Sequence, residues 1–297
     1  MESDRKILAR LVRHIQSAPE DPFTPLIDEY MIKRARKGTK RSKVLVDLTP
    51  RHRPGKRLSP SVIGGCERAA SFSFVGIRGA KKIDPKTELI FDNGDWVHRK
   101  FQAMFEDMER VLGRDRIRVL GIEERIMYPE LYITGYLDIA VKIKVNGKWV
   151  KVVIDIKSIN ARGFAQLEAS HEPVESHTRQ VTTYGVARGK FDYLCVMYEN
   201  KDTNELLPLM FKYDPIVWEQ VKAWCERVLS ALENEKLPPK HPNCREGNFD
   251  YEKCPHREIC YGSMPKPAIR VWMYQDFPGI DAAWQAGLAE EEALADA

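Results

Sequence analysis

Along residues 132–157 two largely apolar runs, Tyr132 to Val145 and Trp149 to Lys157, are broken by scattered polar residues and parted by Asn146-Gly147. The first is rich in β-branched and aromatic residues and the second carries the apolar run Val152-Val153-Ile154, which predicts two strands. Asn-Gly between two such runs is a strong hairpin signal. Folding the chain there pairs the strands antiparallel and sets residues whose numbers sum to 293 opposite one another. A different period governs the stretch opened by Asn93-Gly94-Asp95, where Trp96, Val97, Phe101, Met104, Phe105 and Met108 recur at helical spacing. Ile216 to Leu232 repeats that helical pattern, and Tyr193 to Tyr198 is a short apolar run. Strands flanked by helical stretches predict an α/β core around a mixed sheet.

The hairpin register brings chemistry together. Asp138, closing the turn-like Gly135-Tyr136-Leu137-Asp138, falls directly across from Asp155 at the end of Val152-Val153-Ile154. Residues two apart on a strand share a face, so Asp155 and Lys157 project together, about 6.6 Å apart, while Ile156 points into the core. Two facing carboxylates destabilise a sheet unless a cation neutralises them. Oxygen-only ligands favour magnesium or manganese, and a lysine beside such a metal can orient the attacking water in phosphodiester hydrolysis. The plain alternative is a surface hairpin with an Asp-Lys pair, worth under about 1 kcal/mol.

Two further segments bear on that choice. The helical stretch presents His98 within its first turns, and Gln180 and Tyr184 stand four apart in His177-Thr178-Arg179-Gln180-Val181-Thr182-Thr183-Tyr184, hence on one face of a helix. Taken in order, Gly94-x-x-x-His98, Gly135-x-x-Asp138, Asp155-x-Lys157 and Gln180-x-x-x-Tyr184 resemble the four motifs of the RecB-type branch of the PD-(D/E)XK nucleases. The resemblance implies a restriction-endonuclease-like core with a central mixed sheet flanked by helices. It also implies roles: His98, Asp138, Asp155 and the Ile156 carbonyl as metal ligands, Lys157 in catalysis, and Gln180 with Tyr184 on the substrate strand.

Of six cysteines, Cys66 precedes this region, in Ser61-x-x-x-x-Cys66-x-Arg68, and Cys244, Cys254 and Cys260 follow it. That arrangement is similar to the iron-sulfur subgroup of the branch, to which the AddB nuclease domain and the CRISPR-associated adaptation nuclease belong, and implies a 4Fe-4S cluster that staples the two ends of the domain. Five residues separate Cys254 from Cys260, as in the subgroup, whereas nine separate Cys244 from Cys254 where the subgroup usually has two. Zinc held by four thiolates, or by three with His256, is the competing metal, and buried free thiols are the plain alternative. Cys195 and Cys225, each in an apolar pattern, are expected to be such core thiols.

Composition narrows the class. A hydrophobic fraction of 43% is normal for a globular protein, no apolar run nears the roughly 20 residues that cross a bilayer, and no secretory leader opens the chain, so an intracellular, reducing location in the cytoplasm is expected. The net charge of +4 hides a basic stretch over residues 31–57, with eleven Lys or Arg against Asp47. This stretch would suit phosphate contacts or simply a solvated arm. We read residues 1–57 as a basic helical extension, 58–264 as the nuclease core with its cysteine staple, and 265–297 as a tail that ends acidic. Within that tail Trp272, Tyr274, Phe277 and Trp284 are candidates to pack on the core or dock a partner. With no Gly-x-x-x-x-Gly-Lys-Ser/Thr phosphate loop, any helicase or recombination motor would be a separate protein. The expected activity is a Mg- or Mn-dependent deoxyribonuclease, an exonuclease on single strands or DNA ends, in recombination, repair or phage DNA processing. The alternatives are a catalytically silent DNA-binding or assembly subunit of a nuclease-helicase complex, and a zinc-stapled RNA nuclease.

Overall fold

The computed structural model of the chain describes residues 21–36, 56–77, 79, 85–252, 254–262 and 266–295. Five strands form one mixed sheet in sequential order: β1 (Ile117–Tyr128), β2 (Ile133–Val145), β3 (Lys148–Ile159), β4 (Tyr193–Asn200) and β5 (Leu206–Phe211). Before them come helices α1 (Phe23–Arg36), α2 (Glu67–Phe74) and α3 (Pro85–Leu112). α4 (Ala161–Ser170) and α5 (Glu175–Arg188) lie between β3 and β4, and α6 (Pro215–Glu233) follows the sheet. Short α7 (Phe249–Glu252) and α8 (Arg257–Tyr261) then precede α9 (Lys266–Tyr274) and α10 (Ile280–Ala295). The α/β architecture read from the sequence is therefore the one observed.

The hairpin forms as its turn chemistry dictates. Asn146 and Gly147 both take positive φ, 49° and 77°, the conformation of a type I′ turn, whose twist matches that of the strands it joins. Pairing runs from Val145 opposite Lys148 to Ile139 opposite Ile154, each pair summing to 293 as expected. β3 and β4 are parallel, which requires a crossover, supplied by α4 and α5. β4 and β5 return antiparallel. Tyr132 stands outside β2 with φ of 52°, so that strand begins at Ile133.

The described residues divide into two compact units, one falling within Met1–Leu48, Lys86–Ile126 and Gly135–Trp218, the other within Thr49–Pro85, Met127–Thr134 and Glu219–Ala297. In the first unit, one face of the sheet buries Ile139, Val141, Val152, Ile154, Ile156, Cys195 and Met197 against Phe23, Ile27 and Tyr30 of α1 and Val97, Phe101, Phe105 and Met108 of α3. Each fully buried side chain of this size contributes about 1.5–3 kcal/mol. α5 packs on β3 and β4. Its Gly185 permits that closeness, since a Cβ there would lie 2.6 Å from Leu194 Cδ2.

α3 departs from expectation. Asn93-Gly94 lies inside the helix instead of opening it, and Pro85, a residue suited to the first helical turn, starts it. His98 therefore sits mid-helix, where its backbone is fixed by turns on both sides, and not in the first turns.

In the second unit, Leu58 bridges Ile133, with Leu58 N–H donating to the Tyr132 carbonyl at 2.8 Å. Trp284 and Tyr274 are buried, Trp272 is exposed, and the Trp284 ring meets Tyr132 edge-on at 5.7 Å. The acidic end of the tail is helical, and Glu291 pairs with Arg57 at 2.7 Å. Most of the basic stretch, residues 37–55, lies outside the described residues. Among the described residues no helix is long and apolar enough to cross a membrane.

Candidate active site

The first unit assembles five of the residues singled out in the sequence at the open end of the β2–β3 ladder. Beyond Ile139 opposite Ile154, the Asp138 carboxylate takes two donors: the Ile156 N–H reaches Oδ2 at 2.7 Å and His98 Nδ1 reaches Oδ1 at 3.0 Å. Two strands and α3 thus converge on one carboxylate. Asp155, with no exposed surface, accepts from the Lys157 ammonium at 2.9 Å through Oδ1. Its other oxygen, Oδ2, is buried without a hydrogen-bond partner among the described residues. Such a carboxylate oxygen is costly, because burial removes its hydration and nothing replaces it.

The electrostatics follow. Burial raises the Asp155 carboxyl to about 6, with the Asp138 charge adding to the rise and Lys157 opposing it. Burial also works to raise Asp138, but the His98 charge and hydrogen bond, Lys157 and the Ile156 N–H outweigh it, so that group lies below its ordinary value. For His98, burial favours the neutral ring while the charge and hydrogen bond of Asp138 win and hold it above its ordinary value. Two acids in one site with opposite shifts are the mark of carboxylates held together against their repulsion.

Gln180 and Tyr184 are confirmed on one helical face. Gln180 Nε2 donates to the Tyr184 hydroxyl at 2.8 Å, and both side chains are buried. They belong to α5, which packs on β3.

Two residues escaped the sequence reading. Tyr198 pairs with Lys157 in the β3–β4 register, and its hydroxyl accepts from the Val174 N–H at 3.0 Å and meets His177 Nδ1 at 2.9 Å. Burial, then the charge of Lys157, pushes His177 down to about 4, so this imidazole is neutral near pH 7. In the sequence Tyr198 is only the end of an apolar run. No local signal could place it, because the crossover helices, not a turn, set a parallel register.

The four motif cysteines all fall in the second unit, each half-buried and unbridged by any disulfide. Burial raises Cys254, and the neighbouring Cys66 and Cys244 add to that rise. Burial likewise raises Cys260, which Arg68 opposes by charge and hydrogen bond while Cys254 and Cys66 push upward. The four thiols are thus electrostatic neighbours. Arg68 is 5% exposed, donates to the Pro238 carbonyl at 2.7 Å, and has no carboxylate partner among the described residues. Cys195 and Cys225 are buried core thiols, as expected.

Among the described residues no group of three or more His, Cys, Asp or Glu has the arrangement of a formed metal site. In the first unit the Lys157 ammonium occupies one side of the Asp155 carboxylate, where a cation would otherwise serve.

No family model matches the chain, and no curated protein does. Solved structures similar to it include an alkaline exonuclease from Laribacter hongkongensis, 12% identical with a TM-score of 0.40, over 61% of this chain and 90% of that one. The same exonuclease in complex with dAMP is 14% identical with a TM-score of 0.39, over 61% and 89%. The protein SSO0001 is 13% identical with a TM-score of 0.34, over 81% and 96%. Likeness this distant carries no argument about activity, and the functional reading rests on the site itself.

Proposed function

We propose that this chain is a divalent-metal-dependent DNA nuclease, acting on single strands or DNA ends, with the site built from His98, Asp138, Asp155, Ile156 and Lys157. The observation that carries the reading is the buried, unpartnered Oδ2 of Asp155 beside the Asp138 carboxylate. A cation is the group that satisfies that oxygen and cancels the repulsion of the pair. That donor chemistry suits Mg²⁺ or Mn²⁺, which would be held by His98, both carboxylates and the Ile156 carbonyl oxygen. When bound, such an ion polarises the phosphoryl group and makes a water nucleophilic near neutral pH.

The chain's own residues do the rest. The Ile156 N–H and His98 fix the Asp138 carboxylate in one orientation. The Lys157 ammonium, set in place by its bond to Asp155, positions the attacking water and offsets the negative charge that gathers on the phosphoryl oxygens. Gln180 and Tyr184 hold the scissile strand. His177 stays neutral against the Tyr198 hydroxyl and adds no positive charge to compete with Lys157.

For the second unit the reading is a 4Fe-4S cluster on Cys66, Cys244, Cys254 and Cys260, a structural staple. Its support is Arg68: a buried guanidinium beside Cys260 needs counter-charge, and metal-bound thiolates supply it where neutral thiols do not. Zinc on the same thiolates is the other occupant of that chemistry.

The test is cleavage of end-labelled single-stranded and duplex DNA with Mg²⁺ or Mn²⁺, comparing anaerobically purified wild type with Asp155→Ala and recording visible absorbance. Metal-dependent cutting that Asp155→Ala abolishes supports the nuclease, and the product ladder separates exonuclease from endonuclease. Equal inertness of both proteins on every substrate, with DNA binding retained, would replace it with a silent binding or assembly subunit.

A further inference from the structure

The face of the sheet that carries Asp138 and Asp155 continues toward the hairpin turn, and there its chemistry changes sign. Two residues along β2 from buried Ala140, Lys142 stands directly opposite Lys151 of β3, and beyond them Lys144 stands opposite Trp149. Strand alternation keeps all four on the face of the two aspartates, away from the core built by Ile143 and Val152. Arg118 of β1 joins them: its guanidinium carbon lies 4.9 Å from the Trp149 ring centroid, with the ammonium groups of Lys144 at 5.3 Å and Lys142 at 5.6 Å. Among the described residues, Lys142, Lys144 and Lys151 have no ion-pair partner, and Arg118 bonds only to the Arg114 carbonyl.

Like charges directly opposite one another in a sheet are unfavourable, by about 0.2–1 kcal/mol per pair. The electron-rich ring offsets about 0.5–1 kcal/mol for each exposed cation it attracts, so Trp149 gathers the cations without neutralising them. Four positive charges around one ring on an open strand face are complementary to a polyanion. We propose that this patch is a second DNA site, which binds the phosphodiester backbone flanking the bond that is cut; as to cutting, it rests on the nuclease reading above. From Asp138 to Lys144 is six residues of extended strand, about 20 Å, or about six base-pair steps of B-form duplex. Because cations already lie against the Trp149 ring, the contact is charge to phosphate and not ring to base, and it reads no sequence. The patch would hold a substrate flank at the hairpin end of the sheet while its end reaches the acids.

The test uses the full chain bearing Asp155→Asn, which binds without cutting, and a labelled duplex of about 20 base pairs whose affinity is followed against salt concentration. The triple variant Lys142→Gln/Lys144→Gln/Lys151→Gln keeps chain length at each position. It should weaken binding at least tenfold near 0.1 M salt and reduce the slope of log affinity against log salt by about 2–3, as three lost phosphate contacts require. A separate Trp149→Leu variant, which frees the cations from their common anchor, should weaken binding with little change in slope. An unchanged affinity and slope in the triple variant, with an unchanged melting temperature, would overturn the proposal, as would equal competition by polyglutamate, which would make this a site for acidic protein. The two readings fail separately. If the Asp155-intact chain binds through the patch and cuts nothing, the patch stands and the nuclease falls; if the triple variant cuts long duplex with unaltered KM, the reverse holds.

Discussion

The sharpest consequence of the site is that Asp155 costs the protein stability when no metal is bound. Its carboxyl has no exposed surface, one oxygen lacks a donor, and its proton affinity is raised from the ordinary 3.8 to about 6. At 1.36 kcal/mol per pH unit, a rise of about two units sets a ceiling near 3 kcal/mol on the price of keeping it ionised. Replacement Asp155→Asn removes that charge at constant volume and also removes the Lys157 contact, but Lys157 keeps some exposure and can turn to water. The expected gain in chelator is thus about 1–3 kcal/mol, a rise of a few degrees in Tm for a chain of this size. The sign with pH is fixed: because the folded carboxyl is raised, the penalty is full above about pH 6 and fades as pH falls toward 4. Differential scanning calorimetry in EDTA near pH 8 and near pH 4.5 should show the variant ahead at the first and its lead cut to about a third at the second. Added Mn²⁺ should raise the wild type, through binding to the folded state alone, and leave the variant unmoved. A variant that is less stable than wild type near pH 8 in EDTA, yet folded by circular dichroism, would refute the account of two carboxylates held apart from their cation.

Three other outcomes follow from the same geometry. Lys157→Ala should lower turnover by about 10²–10⁴ while DNA affinity, read by anisotropy, stays near wild type, since this group acts on the water and the developing charge. Gly185→Ala brings a Cβ to 2.6 Å from Leu194 and 2.9 Å from Phe191; urea unfolding should show a loss of about 1–3 kcal/mol, the range for overpacking a close contact, and no loss would mean that the α5–β4 spacing is not fixed there. His177, lowered to about 4 from 6.5 by burial and by Lys157, supports the fold fully above pH 6.5 and loses that support as pH falls toward 4. His177→Gln, which can still bond to Tyr198, should flatten the thermal stability curve over that window, and an unaltered curve would show that another group titrates.

What the chain determined by itself was local. Asn146-Gly147 permits positive φ at two successive positions, so a two-residue turn forms and its length leaves one register. That register carries the ladder to Ile139 opposite Ile154, one residue short of the two aspartates, and Ile156 lies in the core, while helical spacing alone brings Gln180 to Tyr184. The patch of Lys142, Lys144, Lys151 and Trp149 was implicit in the same ladder, although Arg118 was not. The tertiary structure decided everything that crosses between elements. His98 reaches Asp138 because α3 starts at Pro85 and packs Val97, Phe101 and Phe105 on the sheet, a contact spanning forty residues. Tyr198 lies beside Lys157 because a parallel register is set by how two crossover helices pack, which no turn signal encodes. Arg68 meets Cys260, and Trp284 meets Tyr132, through burial of side chains far apart in sequence. Hydrogen-bond geometry within a turn is a property of a few adjacent dihedrals, whereas the choice among distant apolar partners depends on the volume and shape of the whole core, and so appears only once the chain has folded.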